Sequence, residues 1–138
     1  MDHPIPCVRV ILENDDGEIL VLKRQNTMYG NDKFTLPGGK IKTGESVEET
    51  CISEVKEETD LDIFDLDFLF FSDDLPQNED ELHCLTLYFT AEFSGDVEIN
   101  EESSEFKWVK QEDIDGLDIA FNHKEIIKDY FESDNNDS

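Results

Sequence analysis

The chain has 138 residues, among them 36 Asp and Glu and only 11 Lys and Arg, which give a formal net charge of -25. A surface of that charge repels polyanions, so the composition argues against binding of duplex DNA or RNA, and a phosphate-bearing substrate needs accompanying cations. The length suits one ordinary domain and is too short for two.

The first predicted elements are two strands near the N-terminus. Residues 5–13 and 19–23 are rich in branched apolar side chains, and the polar segment 14–17, which ends in Asp16-Gly17, separates them. Apolar runs on both sides of an Asp-Gly pair are typical of a β-hairpin. We therefore expect a hairpin with its turn at Asp16 and Gly17.

Residues 38–61, GGKIKTGESVEETCISEVKEETDL, are predicted to form a loop and a helix. The pair of glycines at the start favours a loop in which backbone segments approach closely. Ser46 followed three residues later by Glu49 is a capping-box pattern. This pattern makes Val47 the first helical residue and leaves Glu45 just outside the helix.

One side of this helix combines an apolar stripe with acidic residues. At about 100° per residue, Val47, Cys51 and Val55 share a face, and Glu54 and Glu58 project beside or within it. Carboxylates at the margin of a buried face are costly unless paired, and the lysines nearby in sequence are too few to neutralise them. A bound cation resolves this deficit, and oxygen ligands without matching His or Cys favour Mg²⁺ or Mn²⁺. The acids close enough to share the cation are Glu54, Glu57 and Glu58.

The second half of the chain is predicted to hold three strands and a helix. Residues 64–71 and 82–93 carry alternating or continuous apolar side chains, and the polar loop 72–81 lies between them. Residues 106–109 are expected to form a further short strand. Near the C-terminus, four apolar residues repeat at helical spacing: Ile126, Ile127, Tyr130 and Phe131.

Domain organisation and cellular location follow from the remaining features. Residues 1–132 are expected to form a single domain and the polar residues 133–138 a C-terminal tail. Cys7, Cys51 and Cys84 are odd in number and lack CxxC spacing, so we expect reduced, buried thiols and no bridges or zinc site. Reduced thiols favour an intracellular compartment, so we expect a cytoplasmic location. Because no run of about 18 apolar residues is present, we expect no membrane partner.

The glycine-to-helix segment resembles the signature of the Nudix hydrolases, G-x5-E-x7-R-E-U-x-E-E-x-G-U, in which U is aliphatic. Gly39 opens the signature, Glu45 follows after five residues, and residues 53–61 complete it, so that seven of the nine specified positions match. The flanking segments also resemble those of the family, and together they cover nearly the whole domain. These segments are LVLKRQ and FTLPGGK before the helix, and EFKWVKQEDI and IAFNHKEII after it.

The resemblance implies both a fold and a reaction. The implied fold is α/β, a Nudix-type α/β/α sandwich with a mixed β-sheet between helices. The implied activity is Mg²⁺-dependent (or Mn²⁺-dependent) hydrolysis of a pyrophosphate bond in a nucleoside diphosphate derivative. Such a substrate is a nucleoside triphosphate, ordinary or oxidised, or an ADP-ribose-like compound. The partner is then a small-molecule nucleotide, and the protein is expected to be a monomer or a homodimer.

The resemblance also implies roles for the acids of the signature. Glu54, Glu57 and Glu58, together with Gly38, are the implied metal-binding residues. Glu54, Glu57 and Glu45 are the implied catalytic residues for attack of water on a phosphorus atom of the pyrophosphate bridge. Glu54 or Glu57 is the expected direct ligand, and Glu54, Glu45 or a distal acid is the expected general base.

Four residues outside the signature are candidates for substrate binding, each with a structural alternative. Arg24 either meets a phosphate or forms a surface ion pair. Asn122 either contacts the nucleobase, as in some relatives that cleave nucleoside triphosphates, or caps the last helix. Glu102 and Glu105 either add acids near the metals and substrate or are solvated loop charges. Most Phe residues are expected in the core, with Tyr29 or an exposed Phe left to stack on a base.

Two positions depart from the family signature. The usual arginine, understood to hold the glutamate at the Glu45 position, is replaced by Ser53, which is shorter and neutral. The late glycine is replaced by Asp60, which tolerates the left-handed conformation expected after a helix. Because of Ser53, a Nudix-fold binding module with weak or no hydrolysis stays open as an alternative, and a purely structural acidic domain is a third possibility.

Overall fold

The structure is a computed structural model that describes residues 3–26, 31–76 and 81–136. Its strands and helices follow in chain order: β1 (Ile5–Ile11), β2 (Ile19–Arg24), β3 (Phe34–Thr35), β4 (Gly38–Lys40), α1 (Val47–Thr59), β5 (Asp62–Asp74), β6 (Cys84–Ser94), β7 (Ser103–Val109), a 3₁₀ helix (Gln111–Gly116) and α2 (His123–Asn136). No helix in these ranges is long and apolar enough to cross a membrane. The proposed stacking residue Tyr29 lies outside the described residues.

The first of two compact units comprises the residues up to Leu12 together with Pro37–Glu98. Its sheet is mixed, in the order β4-β1-β6-β5: β1 runs parallel to β6 and antiparallel to β4, and β5 is antiparallel to β6. α1 packs against β4, β5 and β1. Cys51 and Val55 of the predicted stripe are buried in this contact, which confirms the face assigned to them. Burial of this face fixes the direction in which the neighbouring acids project.

The second unit comprises Glu13–Leu36 and the residues from Ile99 onward. Its antiparallel sheet has the order β3-β2-β7, and α2 contacts the 3₁₀ helix. The predicted C-terminal helix is confirmed, because Ile126, Ile127 and Phe131 are buried on one side of α2. α2 continues to Asn136, into the polar C-terminal segment. The domain boundary at residue 132 stays a prediction.

The predicted N-terminal hairpin is correct at its turn and wrong in its strand pairing. The Gly17 N–H donates to the Asn14 carbonyl at 3.0 Å, and Glu13 forms an isolated antiparallel bridge with Ile19. β1, however, pairs with β4 and β6, whereas β2 pairs with β3 and β7. The reason is burial. Each strand is apolar and buried, so its backbone N–H and C=O groups need hydrogen-bond partners along both edges. Pairing the two only with each other cannot provide this.

The glycine pair before α1 lies in strand β4, so its prediction as a loop is wrong. Gly38 and Gly39 pair with β1 opposite Arg9 and Val8 respectively. Gly38 has a φ of +151°, and a Cβ placed there would lie 2.1 Å from the Val8 carbonyl oxygen. Close strand approach is therefore what requires glycine at this position.

Both ends of α1 agree with the sequence prediction. Ser46 is the N-cap, with reciprocal bonds between its side chain and the Glu49 N–H and between the Glu49 side chain and the Ser46 N–H. Glu45 therefore lies just outside the helix, as expected. Asp60 is the C-cap with a φ of 65°, which confirms its left-handed conformation.

The later strands exceed their predicted lengths. β5 continues to Asp74, so the first three residues of the predicted loop 72–81 are strand, and residues 77–80 lie outside the described residues. β7 begins at Ser103 rather than at residue 106. The expectation that most Phe residues are core is wrong for five that are exposed: Phe64, Phe68, Phe71, Phe106 and Phe121. Three of these lie on β5, which is an edge strand of its sheet.

The cysteines are free thiols, as predicted. Cys7 and Cys51 are buried and Cys84 is partly exposed. Burial raises the pKa of Cys7 to about 11 and that of Cys51 to about 12, so neither is a ready nucleophile at neutral pH. The cytoplasmic location inferred from these residues stays a prediction.

We expect Gly38→Ala to destabilise the protein by about 3 kcal/mol or more, because the new methyl group collides with backbone atoms of β1 and the positive φ is strained. Gly116→Ala is the matched control, since a Cβ there meets nothing within 4 Å. Urea unfolding measures the free energy of unfolding of both variants. Equal values for the two would contradict the packing described for β4.

Candidate active site

The acids of α1 differ in their environments. Glu54 has a side chain that is 15% exposed, whereas Glu57 is 59% exposed. Glu58 is partly buried. The helix face that buries Cys51 and Val55 thus turns Glu54 and Glu58 towards the sheet and leaves Glu57 at the rim. Two of the three carboxylates are thus partly buried, and the third is exposed.

The glycines of β4 allow these acids to approach the sheet. A Cβ placed at Gly39 would lie 2.9 Å from Cδ and Oε2 of Glu54. The Gly38 N–H donates to Oε2 of Glu58 at 3.3 Å. Any side chain at Gly39 would push Glu54 away, so the glycine pair in the signature sets the position of the carboxylates.

Lys42 lies between two of the carboxylates. Its Nζ is 3.4 Å from Oε1 of Glu54 and 3.2 Å from Oε1 of Glu57. The hydrogen bond to Glu57, followed by the charge of Glu54, raises the pKa of Lys42. An ammonium group therefore neutralises part of the negative charge where the sequence predicts a metal ion.

Arg9 is a basic residue of this site that the sequence reasoning did not identify. It lies on β1 directly opposite Gly38, and its Cδ would be 2.9 Å from a Cβ at that glycine. Its guanidinium acts electrostatically to lower the pKa of Glu58. A charged residue within an otherwise apolar strand, and one of only two arginines in the chain, was the available signal.

Burial nevertheless raises the pKa of Glu58 to about 8. The charge of Glu54 and a hydrogen bond with its carboxyl act in the same direction, whereas Arg9 and the Gly38 N–H oppose it. At neutral pH Glu58 thus favours the protonated form, with Glu54 as its hydrogen-bond partner. A divalent cation beside these groups would favour the ionised form instead.

The carboxylates of α1 have the oxygen donors that a hard divalent cation prefers. They must rearrange before they can bind one together. Among the residues that the structure describes, no three His, Cys, Asp or Glu side chains are already gathered as a metal cluster. Glu54 and Glu57 do, however, approach one shared cationic atom, Lys42 Nζ. Carboxylate oxygens are the donors that Mg²⁺ and Mn²⁺ prefer. A divalent ion in place of the singly charged ammonium would neutralise both carboxylates.

Glu45 is held by Thr50 and not by the residue at the family's arginine position. The Thr50 hydroxyl donates to Oε1 of Glu45 at 3.3 Å. The Ser53 hydroxyl donates to the Thr50 carbonyl oxygen, one turn back along its own helix, at 3.2 Å. Thr50, a fully buried residue that the sequence reasoning did not identify, thus supplies a contact to Glu45.

The other predicted residues belong to the second unit. Arg24 ends β2, and its guanidinium carbon lies 5.7 Å from the centroid of the Phe121 ring. Glu105 forms an ion pair with Lys23 at 3.8 Å. Glu102 is exposed, and its carbonyl oxygen accepts from the Gln25 N–H at 2.9 Å. These contacts bring Arg24, Glu102 and Glu105 to the neighbouring ends of β2 and β7.

Asn122 takes the N-terminal position of α2. The helix begins at His123, and the Ile126 N–H donates to the Asn122 carbonyl oxygen at 3.1 Å. This is the position that the helix-cap alternative predicts. Contact of Asn122 with a nucleobase stays a prediction.

A NUDIX domain model matches residues 3–130. The chain is 34% identical over 130 residues to an ADP-ribose pyrophosphatase of Methanocaldococcus jannaschii, covering 93% of this chain and 73% of that protein. It is 28% identical over 118 residues to the nucleoside triphosphatase NudI of Escherichia coli O81, covering 79% of this chain and 84% of that protein.

Solved structures agree with the sequence comparisons. A MutT protein from Methanosarcina mazei Go1 superposes with a TM-score of 0.75 at 27% identity over 98% of both chains. The NUDIX domain of Shewanella oneidensis NrtR, solved with ADP ribose, has a TM-score of 0.80 at 23% identity, covering 96% of this chain and 90% of that chain. At 23% identity, the likeness to the NrtR domain concerns the fold alone. Together they confirm the Nudix-type α/β fold expected from the sequence.

The raised pKa of Glu58 predicts that the metal-free protein loses stability as pH rises from the unfolded carboxyl pKa of about 4.3 to about 8. In that interval the folded state holds a proton that the unfolded state releases, so each increase in pH favours unfolding. Thermal midpoints in EDTA across this range measure the effect. Glu58→Gln should flatten the profile, and an equal slope in this variant and in the wild type would exclude Glu58 as the cause.

Lys42→Met should tighten binding of Mn²⁺ by roughly fivefold, since it removes a cation that competes for Glu54 and Glu57. Lys40→Met is the matched control, because it removes the same charge from an exposed position on the neighbouring strand. Calorimetric titration of both variants with Mn²⁺ measures the change. Equal tightening in the two variants would show that only the net charge of the protein matters. Weaker Mn²⁺ binding in Lys42→Met would contradict competition between Lys42 and the metal.

Proposed function

This chain belongs to the Nudix hydrolase family, and on that basis we propose that it hydrolyses the pyrophosphate bond of a nucleoside diphosphate derivative with the help of Mg²⁺ or Mn²⁺. The observation that supports this most strongly is the set of α1 carboxylates positioned against the glycines of β4. An ADP-ribose-like compound is the first candidate substrate, because a relative at 34% identity is an ADP-ribose pyrophosphatase. A nucleoside triphosphate is the second candidate, because NudI is a nucleoside triphosphatase.

Glu54, Glu57 and Glu58, with Gly38 beside them, would hold the metal. When bound, the metal supplies positive charge that stabilises the phosphate oxygens and favours deprotonation of the attacking water. The oxygen donors of these side chains suit Mg²⁺ and Mn²⁺ equally well. We propose one or more such ions.

The residues of the chain itself prepare the charge of the site. Lys42 and Arg9 reduce the mutual repulsion of the acids, which a protein of net charge -25 otherwise increases. In the absence of metal, burial and the neighbouring Glu54 carboxylate raise the pKa of Glu58 and favour its protonated form. Loss of that proton leaves Glu58 as a carboxylate for the cation, and we propose Glu54 or Glu45 as the general base that accepts a proton from water.

The contact between Thr50 and Glu45 supports hydrolysis despite the absence of the family's arginine. A buried hydroxyl donor orients a carboxylate without placing a positive charge beside it. Ser53 itself contacts its own helix backbone, which fits the competing proposal, a module that binds a nucleotide or metabolite with weak or no hydrolysis. The two proposals differ in turnover and agree in binding.

Turnover is tested with Mg²⁺ or Mn²⁺ and a panel of ADP-ribose, nucleoside triphosphates, dinucleotide polyphosphates and nucleotide sugars. We expect cleavage of at least one, and a loss of roughly 100-fold or more in kcat/KM in Glu57→Gln, because that carboxylate is a proposed metal ligand. Glu48→Gln, at an exposed site in the first turn of α1, is the control. Absence of turnover for every substrate and metal would exclude the enzyme.

Thr50→Val should lower kcat by about tenfold with little change in KM, since it removes the donor to Glu45 and keeps the side-chain volume. Thr50→Ser retains the hydroxyl and should restore most of the activity. Steady-state kinetics of both variants measure kcat and KM, and equal kcat in Thr50→Val and the wild type would exclude a catalytic contribution of the Thr50 hydroxyl. If Ser53→Arg gains strong hydrolysis while the wild type only binds, the binding-module alternative is correct.

A further inference from the structure

Arg9 brings a guanidinium close to the carboxylates of α1. It lies on β1 directly opposite Gly38. A Cβ placed at Gly38 would lie 2.9 Å from Arg9 Cδ, and the Gly38 N–H donates to Oε2 of Glu58 at 3.3 Å. The missing side chain at Gly38 thus leaves room for the stem of Arg9 beside the residue that binds the Glu58 carboxylate. Arg9, Gly38 and Glu58 all belong to the first unit.

The charge of Arg9 acts on several partly or fully buried groups. Burial raises the pKa of Glu58 to about 8, and Arg9 opposes this shift. Burial also raises the pKa of Cys7 and that of Tyr88, the residue paired with Arg9 on β6, and Arg9 opposes both of these shifts as well. Arg9 is itself half-buried. Its guanidinium therefore stays near the sheet instead of extending far into solvent.

The other basic residues of the first unit are less suited to bind a phosphate. Lys42 bridges two acids of α1 at the position proposed for the metal ion. Lys56 forms two ion pairs with aspartates at the C-terminal end of α1, and Lys40 is exposed. Arg9 is the single arginine of this unit. Its planar group of N–H donors matches the oxygens of a phosphate, which an ammonium group meets only as a point charge.

We propose that the Arg9 guanidinium binds a phosphate group of the substrate, next to the metal ion that the α1 carboxylates are proposed to hold. The identification of the ligand as a pyrophosphate compound rests on the proposed function. A guanidinium has five N–H donors, so it can bind phosphate oxygens while it keeps another contact. A phosphate between the two cations offsets their mutual repulsion. The two cations in turn offset the repulsion between the phosphate and a protein of net charge -25.

Methylenediphosphonate tests this contact without hydrolysis, because its P–C–P bridge is not cleaved. Calorimetric titration measures its affinity for the protein in Mn²⁺, and a separate titration measures the affinity for Mn²⁺ alone. We expect Arg9→Met to weaken methylenediphosphonate binding about tenfold or more, since it removes charged hydrogen bonds and keeps an unbranched apolar stem. The affinity for Mn²⁺ alone should not fall, because a guanidinium repels a divalent ion more strongly than the proton that the ion displaces.

Matched variants separate a local contact from an effect of net charge. Lys56→Met removes the same charge from an exposed position of the first unit and should change the methylenediphosphonate affinity by less than about twofold. Arg9→Lys keeps the charge without the planar fork, so its affinity should fall between those of the wild type and Arg9→Met. If the thermal midpoint of Arg9→Met falls, Arg9→Gln serves as a second neutral variant.

Several results would overturn the proposal. They are no binding of methylenediphosphonate by the wild type, an unchanged affinity in Arg9→Met, and equal losses in Arg9→Met and Lys56→Met. A fall in Mn²⁺ affinity that accounts for the whole loss in Arg9→Met would instead assign Arg9 to the positioning of Glu58. A loss in Arg24→Met with none in Arg9→Met would assign the phosphate to Arg24.

Turnover is measured separately, so that the two proposals fail in different ways. Hydrolysis by the wild type together with unchanged methylenediphosphonate binding in Arg9→Met rejects this inference alone. An affinity for methylenediphosphonate that depends on Arg9, without turnover of any substrate, rejects the hydrolase alone.

Discussion

The partial burial of carboxylates against a glycine strand is the constraint on which the proposed chemistry depends. α1 must bury Cys51 and Val55, and this requirement turns Glu54 and Glu58 towards β4. β4 can receive them only because Gly38 and Gly39 leave room for a carboxylate and offer an N–H donor. The acids lose solvation there, which raises the pKa of Glu58 and creates a demand for positive charge. Lys42, Arg9 and the proposed metal ion are the three sources of that positive charge.

Local patterns predicted the helix and part of the site. The capping box and the left-handed Asp60 each depend on residues within one helix and were confirmed, whereas of the apolar stripe Cys51 and Val55 are buried and Val47 is only half-buried. The partners of β1 could not be predicted from the Asp-Gly turn, because β6 lies more than 70 residues away in sequence. The same limit applies to Arg9, which meets Glu58 only through the pairing of β1 with β4. The positive φ of Phe121 could not be predicted either, since no sequence pattern reports this conformation at a phenylalanine.

The replacement of the family's arginine by Ser53 changes how the acids are held. A guanidinium would both orient and partly neutralise Glu45, whereas the Thr50 hydroxyl only orients it. Positive charge comes instead from Lys42 on the loop before α1, which pairs with Glu54 and Glu57, and from Arg9 on β1, which acts on Glu58. Lys42 and Arg9 therefore offset part of the negative charge of the acids in place of the family's arginine. Whether the protein hydrolyses its ligand or only binds it depends on Glu45: orientation by a neutral hydroxyl must be sufficient for hydrolysis without an added positive charge.

Diffraction from a crystal soaked in Mn²⁺ tests the central claim most directly, because the anomalous signal locates the metal without any assumption about the substrate. We expect an anomalous peak bounded by carboxylate oxygens of Glu54, Glu57 and Glu58, with the Lys42 ammonium displaced from its two partners. A peak at another group of acids, or Lys42 still bridging Glu54 and Glu57 with no peak beside them, would contradict it.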